Sequence, residues 1–208
     1  MRRGGVGLVL GLDEAGRGPV LGPLVICGYA VGEDAVAGLS ALGVADSKAL
    51  SAEVRSRLAP LLRKAAVRVV MRVIEPAEVD RAVDAGGLNQ LEVREFVSII
   101  REVAPDIVQL DALTSRPGRF GRLIGELVRP LAPRMVSENK ADTRYPAVQA
   151  ASVLAKVERD AAIEVLRAAH GEVGSGYPGD PLTKAFLKSC DPRDYPPCVR
   201  RSWKTSAP

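Results

Sequence analysis

Asp13 and Glu14 stand in tandem at the end of an apolar run, Asp111 closes a second run of Ile-Val-Gln-Leu, and Asp142 precedes a long Ala-rich segment. Strand ends and helix starts at one edge of an α/β sheet form its usual ligand site. Three or four carboxylates gathered there repel one another unless cations neutralise them. The chain holds one histidine, His170, and three cysteines, Cys27, Cys190 and Cys198, without metal-ligand spacing. Oxygen-only ligation of this kind favours hard ions, Mg²⁺ or Mn²⁺, which keep waters and bind substrate phosphate. Two such ions about 3.5–4 Å apart suit phosphodiester hydrolysis. Any one of these acids taken alone is more commonly a turn cap or the partner of an arginine, so the weight rests on the set.

Gly16-Arg17-Gly18-Pro19 and Gly22-Pro23 follow the acidic pair directly. Glycines let backbone amides approach a phosphate or sugar closely, and Arg17 adds a charge. The spacing is neither a dinucleotide fingerprint nor a P-loop, since no G-K-[ST] end follows. A tight turn between two strands is the plain alternative.

Further motifs give these residues a context. Gly11-Leu-Asp-Glu-Ala-Gly-Arg-Gly-Pro-Val-Leu-Gly-Pro-Leu-Val25 resembles the opening signature of ribonuclease HII, the type 2 ribonucleases H. Asp46-Ser47-Lys48 resembles its D-S-K element, and Asp111-Ala112-Leu113 its element after the central strand. Glu138-Asn139-Lys140-Ala141-Asp142, followed by Ala150-Ala151-Ser152-Val153-Leu154-Ala155-Lys156-Val157-Glu158-Arg159-Asp160, resembles the family's A-A-S-x-x-A-K-x-x-R-D helix. Gly174-Ser175-Gly176-Tyr177-Pro178-Gly179-Asp180-Pro181 resembles the archaeal form of its tyrosine motif.

The resemblance implies that Asp13, Glu14, Asp111 and Asp142 are catalytic, metal-binding acids for Mg²⁺ or Mn²⁺, two ions being held when substrate is bound. It implies that Gly16, Arg17 and Gly18 surround the ribonucleotide and sense its 2′-OH, the group that separates RNA from DNA. Tyr177 would stack on the deoxyribose that follows, and Lys48, Lys156 and Arg159 would contact the phosphate backbone or order the acids. A cation on a helix face is more often simply solvated. The implied activity is endonucleolytic cleavage 5′ of ribonucleotides in RNA/DNA hybrids and in duplex DNA, leaving 3′-OH and 5′-phosphate. Two other readings use the same residues: a structure-selective DNA nuclease, and a protein that binds hybrids without cutting them. Family members that dock on a sliding clamp do so through a C-terminal hydrophobic peptide. Ser202-Trp203-Lys204-Thr205-Ser206-Ala207-Pro208 lacks its Gln and paired aromatics, which puts clamp recruitment in doubt.

The elements that must position these residues are legible in part. Runs at 6–12, 24–31, 66–74, 107–110 and 135–136 read as five strands. Helices are expected from about 51 to 64, from Pro76, over 89–103, 119–131 and 144–169, and near 182–187. Asp46 and Ser47 are good caps for the first of these. Ala150, Ala151 and Ala155 share one side of the long helix, where their small size would let it approach the sheet and carry Asp142 towards Asp13 and Asp111; ordinary core packing is the equal alternative. This predicts an α/β fold with a mixed sheet. The resemblance refines it to a ribonuclease H-like fold, a mixed five-stranded sheet flanked by helices, with a catalytic domain over 1–172 and a small helical C-terminal appendage over 173–208 that carries the tyrosine motif.

Composition sets the outer bounds. The 208 residues are 47% hydrophobic and only 4% aromatic, so an aliphatic core is expected. The net charge of +4 permits an anionic partner without demanding one. No run approaches the ~20 apolar residues of a membrane span, and the basic start meets charge too soon for a signal peptide. A soluble, cytoplasmic, monomeric protein is expected, without a disulfide framework although Cys190 and Cys198 could pair, in which Trp203 packs against the body and His170 is solvated or capping.

Overall fold

The computed structural model describes residues 6–43 and 50–203. The expected Asp46-Ser47-Lys48 element therefore lies outside the described residues. The chain runs β1 (Leu8–Ala15), β2 (Leu24–Gly32), α1 (Val36–Ala41), α2 (Ala52–Ala65), β3 (Arg68–Ile74), α3 (Pro76–Asp84), α4 (Leu88–Val103), β4 (Ile107–Asp111), α5 (Pro117–Leu127), β5 (Arg134–Glu138), α6 (Pro146–His170) and α7 (Pro181–Ser189). The five expected strands are all present, in the order β3-β2-β1-β4-β5. β1, β2 and β3 pair antiparallel, while β4 runs parallel to both β1 and β5.

Alternation along β1 assigns its side chains to two layers. Val9 and Ala15 face a core shared with α1, α2 and α6; Leu10 and Leu12 face a core shared with α3, α4 and α5. A third, smaller core joins Val20, Leu21 and Ile163 to Val173, Phe186, Leu187, Tyr195, Cys198 and Val199.

Several helix ends differ from expectation for local reasons. Ser51 caps α2, its hydroxyl accepting from the Val54 amide at 3.3 Å. α5 stops at Leu127 rather than 131, because Pro130 lacks an amide proton and disfavours helical backbone at the residue before it. α6 opens at Pro146, acceptable in a first turn, and ends at Gly171. α1 was not anticipated; it is six residues long, contains Gly38 and has no side-chain cap. The three cysteines are free thiols, His170 is exposed beside Phe186, and no described helix is long and apolar enough to cross a membrane.

Candidate active site

Leu12 pairs with Leu110 in the parallel β1–β4 ladder, so Asp13 and Asp111, one residue further along, stand side by side where that ladder ends. Asp142 reaches them on a short 3-10 turn, Ala141–Thr143, that leads into α6. Its approach depends on Gly11. A Cβ built there would lie 2.2 Å from the Ala147 carbonyl carbon, so only glycine lets the first turn of α6 rest on β1. Ala147, Ala150, Ala151 and Ala155 are all fully buried along that contact. The small-residue face therefore works as the sequence implies. The amide of Ala141 donates to Asp111 Oδ1 at 3.4 Å, which ties the turn to the end of β4.

Asp13 is buried and takes a hydrogen bond from Ser152 on α6. Burial first, then repulsion from Glu14, holds its carboxyl well above the usual range, against the opposing pull of Ser152. Glu14 points to the opposite face of β1, towards α4. Burial and repulsion from Glu92 push it up to about 7, with Arg17 opposing. Glu14 Oε2 is buried with no hydrogen-bond partner. Glu92 itself is fully buried in α4, is likewise pushed up to about 7 by burial, and faces Arg17 Nη1 at 3.5 Å.

Among the described residues no group of three or more Asp, Glu, His or Cys side chains is already disposed to hold a metal ion. Strand alternation keeps Asp13 and Glu14 from joining one such group, since they sit on either side of one strand end. The donor set nonetheless fits hard divalent cations: all oxygen, crowded enough to raise both acids of the pair, and with an orphaned oxygen on Glu14. Ions of this class take several of their ligands from water and phosphate, so the protein itself need supply only a few of them.

The glycine loop follows at the same edge. Gly16 has φ +86°, and a Cβ there would lie 2.5 Å from the Pro23 carbonyl oxygen and 2.8 Å from Arg159 Cδ. Arg17 is turned to α4, where its Nη2 donates to Asn89 Oδ1. Gly18 is exposed. Arg200, fully buried, donates through Nε to the Gly22 carbonyl at 3.0 Å and through Nη1 to the Arg17 carbonyl at 3.3 Å. Burial pushes the Arg200 guanidinium down to about 10. Trp203 Nε1 donates to the Gly18 carbonyl at 3.1 Å, and its ring lies under the Arg200 guanidinium. Trp203 thus packs on the body, as expected of a lone tryptophan.

Tyr177 stands 47% exposed on the adjoining loop. The Gly176 carbonyl accepts from the Val20 amide at 2.8 Å and the Leu21 amide at 3.2 Å, which locks this loop to the glycine loop. The buried Thr183 hydroxyl accepts from the Gly176 amide, and Asp180 accepts from the amides of Ser175 and Leu182. Hydrogen bonding from the Ser175 side chain first, then from the Ser175 and Leu182 amides, holds the Asp180 carboxyl at about 2. Arg159 is buried, donates to the Ser175 carbonyl at 2.9 Å and lies 5.1 Å from the Tyr177 ring centroid. It braces both loops instead of pairing with Asp160, which bonds Arg55 at 2.8 Å. Lys156 is half-buried on α6. Glu92, Asn89, Arg200, Asp180 and Thr183 were not singled out from sequence. Only Asp180, an N-cap residue before Pro181, carried a local signal.

Known proteins are similar to this chain over nearly its whole length. The family model described as Ribonuclease HII matches residues 10–206. A ribonuclease HII of Methanocella arvoryzae is 43% identical over 202 residues, covering 95% of this chain and 89% of that one. The crystal structure of ribonuclease H2 from Pyrococcus horikoshii superposes with a TM-score of 0.89 at 38% identity, covering 96% and 95% of the two chains. The ribonuclease HII of Archaeoglobus fulgidus, solved in complex with PCNA, gives 0.87 at 39%, covering 95% of each. These likenesses extend over nearly the whole length and include the mixed five-stranded sheet of a ribonuclease H-like fold, so the chain belongs to the ribonuclease HII family and is an endoribonuclease.

Proposed function

We propose that this enzyme hydrolyses the phosphodiester on the 5′ side of a ribonucleotide, in RNA/DNA hybrids and in duplex DNA with embedded ribonucleotides. The observation that carries the reading is one continuous rim: the acids at the ends of β1 and β4, the glycine loop, and Tyr177 on a loop bonded to it through Gly176. Water attacks phosphorus, the bond to the upstream 3′ oxygen breaks, and the products are a 3′-OH and a 5′-phosphate on the ribonucleotide. The 2′-OH is then a recognition handle rather than the nucleophile, because it neighbours the phosphate on its other side.

Asp13, Asp111 and Asp142 on one face of β1, with Glu14 on the other, would hold Mg²⁺ or Mn²⁺. Bound there, divalent ions supply Lewis-acid activation of water and neutralise charge on the phosphate. The chain's own residues set the substrate against that edge. Backbone groups of Gly16, Arg17 and Gly18 border the ribose, and Tyr177 offers a ring for the next sugar to stack upon. Arg159 acts from beneath, as a brace for Gly16 and Tyr177. The segment from residue 173 onward forms the appendage that carries Tyr177.

The test is cleavage of an end-labelled DNA duplex with one ribonucleotide, in Mg²⁺, Mn²⁺ or chelator. A metal-dependent cut 5′ of that ribonucleotide is expected. Cutting of an all-DNA junction instead would replace this reading with a DNA nuclease. Asp111→Asn is expected to abolish cleavage while leaving hybrid binding intact, and binding without cleavage by the unaltered protein would favour a non-catalytic hybrid binder. Tyr177→Ala is expected to impair a single embedded ribonucleotide more than a continuous RNA strand; equal losses on both would remove Tyr177 from junction sensing.

A further inference from the structure

Glu92 is the least expected charge in the molecule. Its side chain is 0% exposed and, among the described residues, neither oxygen has a hydrogen-bond partner and its one ion pair, to Arg17, spans 3.5 Å. A carboxylate buried in this way is destabilising relative to an apolar residue of equal volume, so core packing does not account for it. Asn89 lies three residues earlier on α4, on the same helix face, and takes the other arm of the Arg17 guanidinium. At its backbone end, Arg17 is held through its carbonyl by Arg200. The residue between the two loop glycines is therefore gripped at both ends, with its guanidinium held on α4 while the side chain stays 35% exposed.

We propose that Asn89 and Glu92 are positioning residues for Arg17: they draw its guanidinium onto α4 and so fix the Gly16–Gly18 backbone in the pose that receives the ribonucleotide. This rests on the reading of that loop as the ribose-contacting element. Arg17 then serves recognition as an anchor, with the contact to substrate made by the backbone it orients. Glu92 also faces Glu14, so a rival route runs through the acids. The two routes separate in a double-mutant cycle, because a residue that acts through Arg17 has nothing left to do once Arg17 is gone.

The measurement is kcat and KM on the single-ribonucleotide duplex for Arg17→Ala, Glu92→Ala, Asn89→Ala and the pairs R17A/E92A and R17A/N89A. The hydrogen bond to Asn89 and the buried ion pair with Glu92 both involve a charged guanidinium, and each α4 variant is expected to lose about tenfold in kcat/KM. The loss is expected in KM, with kcat retained, and each pair is expected to match Arg17→Ala alone to within about twofold. Glu92→Gln keeps the volume and one acceptor; it is carried through the same cycle in case Glu92→Ala does not fold, with a smaller loss expected. A loss that persists in full in the Arg17→Ala background would overturn the proposal, as would α4 variants with unchanged KM. The unaltered enzyme in the same assay reports on the underlying reading: a cut placed elsewhere defeats that reading and this proposal together, whereas a correct cut with additive variants defeats this proposal alone.

Discussion

Charge at the candidate site is held against its own repulsion, and this has a consequence for pH. Glu14 and Glu92 both titrate near 7 when folded, against about 4.5 for an unstructured glutamate. Between those values the folded chain binds protons that the unfolded chain has released, so stability falls as pH rises through the window. Their contribution is full below about pH 4.5 and lost above about 7. The metal-free protein is therefore expected to melt at lower temperature at pH 7.5 than at pH 5, by several degrees if about 2 kcal/mol is involved. Mg²⁺ or Mn²⁺ should raise the melting temperature more at pH 8 than at pH 5.5, since binding needs ionised acids; equal metal-induced shifts at both would refute this. Asp180 runs the other way, contributing stability that is lost only as pH falls from about 3.8 towards 2. Asp13, Glu14, Asp111 and Asp142 were legible because each follows an apolar run or precedes a helix. Glu92 was not: within Leu91-Glu92-Val93-Arg94 it looks like any solvated helix acid. Its burial follows from the packing of α4 beneath the glycine loop, which no local pattern reveals.

At the scale of elements, the contact between β1 and α6 decides whether Asp142 reaches the strand ends. Gly11→Ala would place a methyl 2.2 Å from the Ala147 backbone, and backbone has no rotamer by which to yield. Overpacking of this kind costs about 1–3 kcal/mol or more, roughly 2–10 °C in melting temperature at this size. Cleavage should fall further than stability alone explains, because the displaced helix start carries Asp142 with it. A variant that melts lower but retains full kcat would show that this turn adjusts independently. The long helix and the first three strands were legible because their apolar runs are long, and β4 and β5 as short apolar runs between helices. The short α1 and the end of α5 were not. α1 has too few residues and no cap to announce itself, while Leu131 continues the apolar pattern of α5 past a proline that ends the helix.

Across the whole molecule, residues far apart in sequence meet at the glycine loop. Residues 198–203 bond to the glycine loop through Arg200, Trp203 and the Leu21–Val199 bridge. Trp203→Phe keeps most of the packing and removes the bond to the Gly18 carbonyl, a loss of about 0.5–1.5 kcal/mol in stability. It should weaken binding to the ribonucleotide duplex while leaving kcat at saturation unchanged; a fall in kcat with no change in KM would assign Trp203 to the chemistry instead. These long-range ties were illegible in sequence, because nothing near Arg200 or Trp203 names a partner some 180 residues away.

The third, smaller core has one more consequence. It is separate from the two layers that sandwich the sheet, and it is what clasps the glycine and tyrosine loops together. β1, paired on both sides, belongs to the part of the molecule slowest to open. Amide hydrogen exchange should therefore show residues 173–199 opening at lower free energy than β1. A molecule warmed towards its limit would let go of its substrate while its acids were still in place, and cooling would restore the grip without refolding the sheet.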